Sequence, residues 1–414
     1  MKLNVDLRTL SMELLSLTVY RGVAEQPVTA ALSALLRAAG TGDVPAVYEK
    51  WGALCAMLAV SGKLDSLPAA LAEEVLGDDN AYSSALSSGK EPSSRLCAMA
   101  QRDLSILYRA ASLTPEEVRE AAGCADSGLP DWGTAAAPAP MDQPWGENTQ
   151  ALAAYHKVHG CGRFSKHIAF LWRAGRMLPV EHPDPIRLSN LKGYEYQRRI
   201  AIDNTLAFLN GFEANNMLLY GDRGTGKSST VKALLNEYAG NGLRMIEMPK
   251  EYLRELPDLT GYLAGMPMKF IVFIDDLSFS SNDDNFAALK AVLEGGLASR
   301  PENVIIYATS NRRHLLKETF SDREGDEVHH ADTVQESVSL SDRFGISLTF
   351  LLPDKQRFLE IVEQMADDHG LQADKQQLLA AAERWALERG ARSPRYARQF
   401  IADAQARLKR GEGL

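Results

Sequence analysis

The sequence predicts an α/β fold: a parallel sheet built around a phosphate-binding loop, preceded by an all-helical segment and followed by a small helical domain. Three observations predict it. From about residue 150, short apolar runs alternate with helical stretches, the order of a parallel sheet covered on both faces. The first strong run, NMLLYG, leads directly into Gly221-x4-Gly226-Lys227-Ser228. On either side of this region, up to residue 123 and after Pro353, the apolar period is that of helices alone.

Taken in order, residues 1–123 read as an all-helical N-terminal domain. Apolar residues recur at helical spacing in LSALLRAAG, VYEKWGALCAMLAV, LPAALAEEVLG and LCAMAQRDLSILYRAASL. In LTPEEVREAAG, Thr114 stands as an N-cap and Pro115 at the first helical position, with acids in the first turn and a closing glycine. Residues 124–148 are rich in Pro, Ala and Gly without period and are expected to be a linker. The nucleotide-binding domain is expected over 149–352, with strands at NMLLYG, LRMIEM, FIVFID, NVIIYATS and ISLTFLL. Ahead of them, RFSKHIAFLWRAGR sets Phe164, Ile168, Phe170 and Leu171 at the spacing of a packed helical face; contact with nucleic acid is the alternative. Residues 353–414 hold DKQRFLEIVEQMADDHG, DKQQLLAAAERWALERG and SPRYARQFIADAQARLKRG. Each opens on a capping Asp or Ser and closes on glycine.

Composition bounds the class. A chain of 414 residues, 45% hydrophobic and 24% charged, suits a globular protein of two or three domains. Four cysteines do not make a disulfide framework, so a reducing compartment is expected. The first residues lack a signal-peptide core, and no apolar run approaches the ~18 residues that span a bilayer. A cytoplasmic protein with no membrane association is expected. The net charge of −9 is uneven, acidic before residue 140 and locally basic over 145–200 and after Arg384.

The chemistry lies in four places. In the loop, Gly221, Asp222, Arg223, Gly224, Thr225 and Gly226 let backbone N–H groups turn inward on phosphates, and Lys227, Ser228 and Ser229 open the helix whose positive end faces them. Lys227 is expected on the β- and γ-phosphates of ATP, and the Ser228 hydroxyl on Mg²⁺. About fifty residues on, FIVFIDDL ends a strand in Asp275, a second expected Mg²⁺ ligand, and Asp276, expected to face the attacking water. NVIIYATSNRRHL ends in Thr309, Ser310 and Asn311, and the carboxyl ends of parallel strands line the ligand crevice. Arg343 in SLSDRFG and Arg395 in GARSPRYARQF are the guanidinium candidates. His156, His159, Cys161 and His167 assemble into a zinc site only on paper, because their spacing is not a standard ligand pair.

These features, in this order, resemble an AAA+ ATPase over roughly residues 186–410. GYEYQRRIAIDNT, NNMLLYGDRGTGKSS, ATSNRRHL, KETFSDREGD and SLSDRFG are most similar to a bacterial family of AAA+-like ATP-binding proteins catalogued as a domain of unknown function. The resemblance implies a sheet of order 5-1-4-3-2 with a C-terminal helical lid. It implies Asn311 as sensor 1, Arg343 as an arginine finger acting on a neighbour's ATP, and Arg395 as sensor 2. Tyr194 and Gln197 of GYEYQRR would belong to the adenine pocket. The chain departs from the pattern at two points. Asp276 stands where a glutamate is usual, although bacterial replication initiators also carry an Asp-Asp pair. The connection between Asn311 and Arg343 is long and polar.

Two functions fit these residues. One is an oligomeric ATPase that remodels or loads a protein or nucleic-acid partner, reached through the N-terminal helices or the 314–341 insertion. The other is a nucleotide-gated switch with slow hydrolysis. A small-molecule kinase or GTPase on the same loop is disfavoured, because there is no Asn-Lys-x-Asp run for guanine and the helical lid after the sheet suits the AAA+ plan better.

Overall fold

The computed structural model describes residues 6–125, 127–279, 284–294, 301–311 and 343–414, so the 314–341 insertion falls outside the described residues. Contacts divide the chain into two units, Met1–Lys166 with Met266–Met268, and His167–Gly265 with Lys269–Leu414. No helix among the described residues is long and apolar enough to cross a membrane.

The first unit is helical, with α1 (Leu7–Leu15), α2 (Pro27–Thr41), α3 (Val44–Val60), α4 (Leu67–Leu76), α5 (Ala81–Ser87), α6 (Ser94–Ala111), α7 (Pro115–Ala121), α8 (Thr149–His159) and α9 (Arg163–Lys166). The stripes expected from the apolar period are buried, Leu32, Leu35, Leu36 and Ala39 on α2, and Ala100, Leu104, Leu107 and Ala111 on α6. Thr114 caps α7 as expected, and Glu117 completes a capping box with it, worth about 1 kcal/mol for such a cap.

The stretch 124–148, expected to be a linker, instead sends its large apolar side chains into this unit's core. Trp132, Met141 and Trp145 are buried there, and the Trp51 and Trp132 rings lie 4.6 Å apart. Trp51 Nε1 donates to the Pro130 carbonyl at 2.8 Å, and Trp132 Nε1 to that of Leu113 at 3.2 Å. Gly133 passes so close to the α3–α4 turn that a Cβ would lie 1.9 Å from the Asp65 carbonyl oxygen. A stretch without period can still pack when a few large apolar side chains anchor it.

In the second unit the sheet runs β2 (Arg176–Pro179), β1 (Ala169–Arg173), β4 (Leu243–Glu247), β5 (Lys269–Ile274), β6 (Val304–Ser310), β3 (Met217–Gly221), β7 (Ile346–Phe350). The five strands from β3 to β7 are parallel and, counted from β3, stand in the order 5-1-4-3-2; β1 lies parallel to β4 outside them. Between them come α10 (Glu195–Leu209), α11 (Lys227–Tyr238), α12 (Leu256–Leu263) and α13 (Asp284–Glu294). The central strands are buried on both faces, hence their unbroken apolar sequence.

RFSKHIAFLWRAGR does not form the expected helical face. After the short α9 it becomes the antiparallel hairpin β1–β2, which extends the sheet beyond β4. Its two-residue turn, Ala174 and Gly175, has φ of 49° and 71°, as a tight hairpin with right-handed twist requires. Glu255 Oε2 accepts from Trp172 Nε1 and from the Gly175 N–H.

The lid follows β7 through three helices, α14 (Lys355–Asp368), α15 (Lys375–Glu388) and α16 (Pro394–Lys409). Asp354, Asp374 and Ser393 cap them as expected, and Gly370, Gly390 and Gly411 end them at positive φ. Phe358, Ile361, Val362, Ala382, Phe400 and Ile401 make the lid's own core.

Candidate nucleotide-binding site

A cavity of about 650 Å³ opens at the carboxyl ends of the parallel strands, within the range of small-molecule sites. Thr225, Gly226, Lys227, Ser228 and Ser229 line its floor, with Arg223 and Gly224 beside them. Gly221, Gly224 and Gly226 have φ of 130°, 77° and 98°, which is why the loop needs glycines there. Gly221 is required for a second reason: a Cβ would lie 2.2 Å from the Phe350 carbonyl oxygen on β7.

Lys227 is 6% exposed, and its ammonium donates to the carbonyls of Gly221 (2.9 Å) and Asp222 (2.7 Å) and to Asn311 Oδ1 (3.1 Å). Burial pulls its pKa down to about 8; the carboxylates of Asp222, Asp276 and Asp275 oppose that fall, and Arg395 adds to it. Ser228 Oγ donates to Asp275 Oδ1 at 2.7 Å, and Thr309 Oγ1 donates to the same oxygen at 2.5 Å. Thr309 Oγ1 also accepts the Asp276 N–H at 3.0 Å. Asn311 Nδ2 donates to Asp276 Oδ1 at 2.6 Å, so one amide bridges Lys227 and Asp276. Asp276 has φ of 51°, a left-handed conformation that costs a residue with a Cβ roughly 1–2 kcal/mol and is least costly for Asp and Asn.

Asp275, Asp276, Asn311, Arg395 and Tyr194 therefore meet the loop at one cavity. Tyr194, itself at φ 57°, packs on Phe350 at 5.0 Å, and its half-buried hydroxyl, held above its ordinary pKa by partial desolvation and by Asp222, donates to the Leu351 carbonyl. Gln197, Gly221, Asp222 and Arg343 are absent from the lining. Gln197 Nε2 instead donates to the Thr349 carbonyl at 3.0 Å, and the Asp222 carboxylate accepts the Leu352 N–H at 2.7 Å.

Sequence reasoning missed other lining residues: Asn190, Leu191, Lys192, Arg198, Met365, Arg398 and Gln399. Arg398 and Gln399 follow Arg395 at three and four positions on α16, a helical face legible in principle. Lys192, ion-paired with Asp368 at 2.6 Å, and Arg198, ion-paired with Glu195 at 3.8 Å, carried no such signal. The four side chains weighed as a zinc site are otherwise engaged: His156 Nδ1 donates to the Gly160 carbonyl, Cys161 bonds Asp79, His159 stacks on Tyr155 and His167 pairs with Glu181. Among the described residues no cluster of three metal-ligating His, Cys, Asp or Glu occurs.

Residues 165–408 match a family model described as "Protein of unknown function (DUF815)". No curated protein matches the chain. Among solved structures, the Thermotoga maritima RuvB Holliday junction branch migration motor is similar, at 16% identity and TM-score 0.38. The match covers 55% of this chain and 66% of that one, just under two thirds. A mutant of the same protein matches at 14% identity and TM-score 0.38, over 55% and 67%.

Proposed function

The chain belongs to the family described as protein of unknown function (DUF815), with an AAA+ core fold, and from that premise we propose that it binds ATP with Mg²⁺ and hydrolyses it. One observation carries the reading: Lys227, Ser228, Asp275, Asp276, Asn311 and Arg395, from separate stretches of the chain, line a single cavity of about 650 Å³.

The donor set fits the nucleotide and its metal. Ser228 Oγ and Asp275 Oδ1, 2.7 Å apart, are a hydroxyl and a carboxylate of the kind Mg²⁺ takes alongside water and phosphate oxygens. Mg²⁺ supplies charge neutralisation on the phosphates when bound. Lys227 exchanges its carbonyl partners for β- and γ-phosphate oxygens, with the loop N–H groups and the start of α11 adding partial positive charge. Asp276 orients the attacking water and accepts its proton, and Asn311 holds Asp276 in place. Arg395 meets developing charge from the lid. Arg343, outside its own chain's cavity, acts on the ATP of a neighbouring subunit in an oligomer. Such an oligomer would couple the nucleotide state to a protein or nucleic-acid partner in the cytoplasm.

A second reading, a slow nucleotide-gated switch, draws on Asp276. Its side chain is one methylene shorter than glutamate and is already bonded to Asn311 at 2.6 Å. One assay tests both readings: ATP binding and steady-state turnover of wild type, Lys227→Ala and Asp276→Asn. Loss of binding or turnover in Lys227→Ala is expected; wild type that neither binds nor turns over ATP at millimolar concentration overturns the proposal. A wild-type rate equal to that of Asp276→Asn selects the switch.

A further inference from the structure

We propose that Asp222 is a positioning residue that ties the phosphate loop to the hinge of the lid, so that its carboxylate governs where Arg395 stands over the cavity. This deepens the reading of the cavity as an ATP site and rests on it. β7 ends at Phe350 and α14 begins at Lys355 with Asp354 as its cap, so the sheet passes into the lid through Leu351, Leu352 and Pro353. Proline holds its own φ, which leaves Leu351 and Leu352 to absorb a change of lid angle.

Both are held. Asp222 Oδ2 accepts the Leu352 N–H at 2.7 Å, and the Tyr194 hydroxyl donates to the Leu351 carbonyl at 2.6 Å. The Asp222 N–H in turn donates to the Phe350 carbonyl at 2.8 Å. By sequence Asp222 belongs to the phosphate loop, yet its side chain serves the hinge and not the cavity lining. A carboxylate accepting a backbone N–H makes a charge-assisted bond, stronger than a neutral one. Two residues further along, the Gly224 carbonyl accepts the Arg395 N–H at 3.1 Å, and a Cβ on Gly224 would lie 3.0 Å from Ser393 Oγ. The loop thus grips the lid twice, at its entry and at the start of α16. Movement of the loop around a triphosphate is passed through Asp222 to the hinge, and the lid angle returns to the site through Arg395.

The test compares full-length wild type, Asp222→Ala and Asp222→Asn in two measurements. Amide hydrogen exchange over residues 350–354 reads the bond without nucleotide. The alanine variant is expected to lose protection there, and the asparagine variant, whose amide oxygen still accepts, to keep it. Steady-state kinetics read the consequence: Asp222→Ala is expected to lower kcat on the order of tenfold with KM for ATP within about threefold of wild type, and Asp222→Asn to recover most of the rate. Unchanged kcat in Asp222→Ala, or unchanged exchange in the hinge, overturns the proposal. Should the alanine variant not fold, Asp222→Ser, too short to reach Leu352, replaces it under the same criteria. If wild type shows no ATP turnover, the ATP reading fails while the exchange measurement still decides whether Asp222 holds the hinge.

Discussion

At the scale of single residues, Lys227 links sequence and chemistry most directly. Its place after the glycines was plain from the sequence, but its pKa follows from burial. At the proposed site a triphosphate would bind the charged lysine, so binding would raise the pKa and would be fully favoured below the free-protein value of about 8. As pH rises through that value the free lysine loses its proton, and binding must take one up. Nucleotide affinity, measured with a fluorescent ATP analogue, is therefore expected to be level from about pH 6.5 to 7.5 and to fall by up to about tenfold per unit above 8. A level affinity up to about pH 9.5 would contradict the burial-shifted lysine. Asp276 adds a second lesson. The Asp-Asp pair was legible as a strand end, whereas its left-handed backbone and its bond to Asn311 arise from residues 35 positions apart.

At the scale of elements, period and caps were reliable guides where one face or both faces of an element are buried throughout. The five core strands and the three lid helices lie where their apolar patterns and capping residues put them. The hairpin at 169–179 departs from the expected helical face because Phe164, Ile168, Phe170 and Leu171 satisfy a helical spacing by coincidence, while its turn signal is the lone Ala-Gly pair. The stretch 124–148 has the composition of a linker, yet its two tryptophans find partners far along the chain, Trp132 on Trp51 and Trp145 on Tyr108. The junction of β3 and β7 yields the prediction proper to this scale. Gly221→Ala would set a Cβ 2.2 Å from the Phe350 carbonyl and force the two strands apart where the loop begins. Thermal unfolding is expected to show a loss of roughly 2 kcal/mol or more, with nucleotide binding lost as well. A Tm equal to that of wild type would mean that the loop can leave β7 without cost.

At the scale of the whole molecule, the proposed action of Arg343 across a subunit boundary has its own test. Lys227→Ala and Arg343→Ala are each expected to lack turnover alone. A mixture of the two is expected to recover part of it, because some sites then combine an intact Lys227 with a neighbour's intact Arg343. No recovery in a mixture shown to co-assemble would remove Arg343 from the site. By itself, the sequence determined the glycine-rich loop, the strand-end aspartates, the helices that follow β7 and the helical N-terminal unit, since each is written in residues that are neighbours in the chain. The tertiary structure alone decided that the Asp222 carboxylate bonds the Leu352 N–H outside the cavity lining, that Gln197 bonds Thr349, and that Lys192, Arg198 and Arg398 join the lining. Those outcomes depend on which donor and acceptor meet after the sheet and lid have packed, and no local period records a partner more than a hundred residues away.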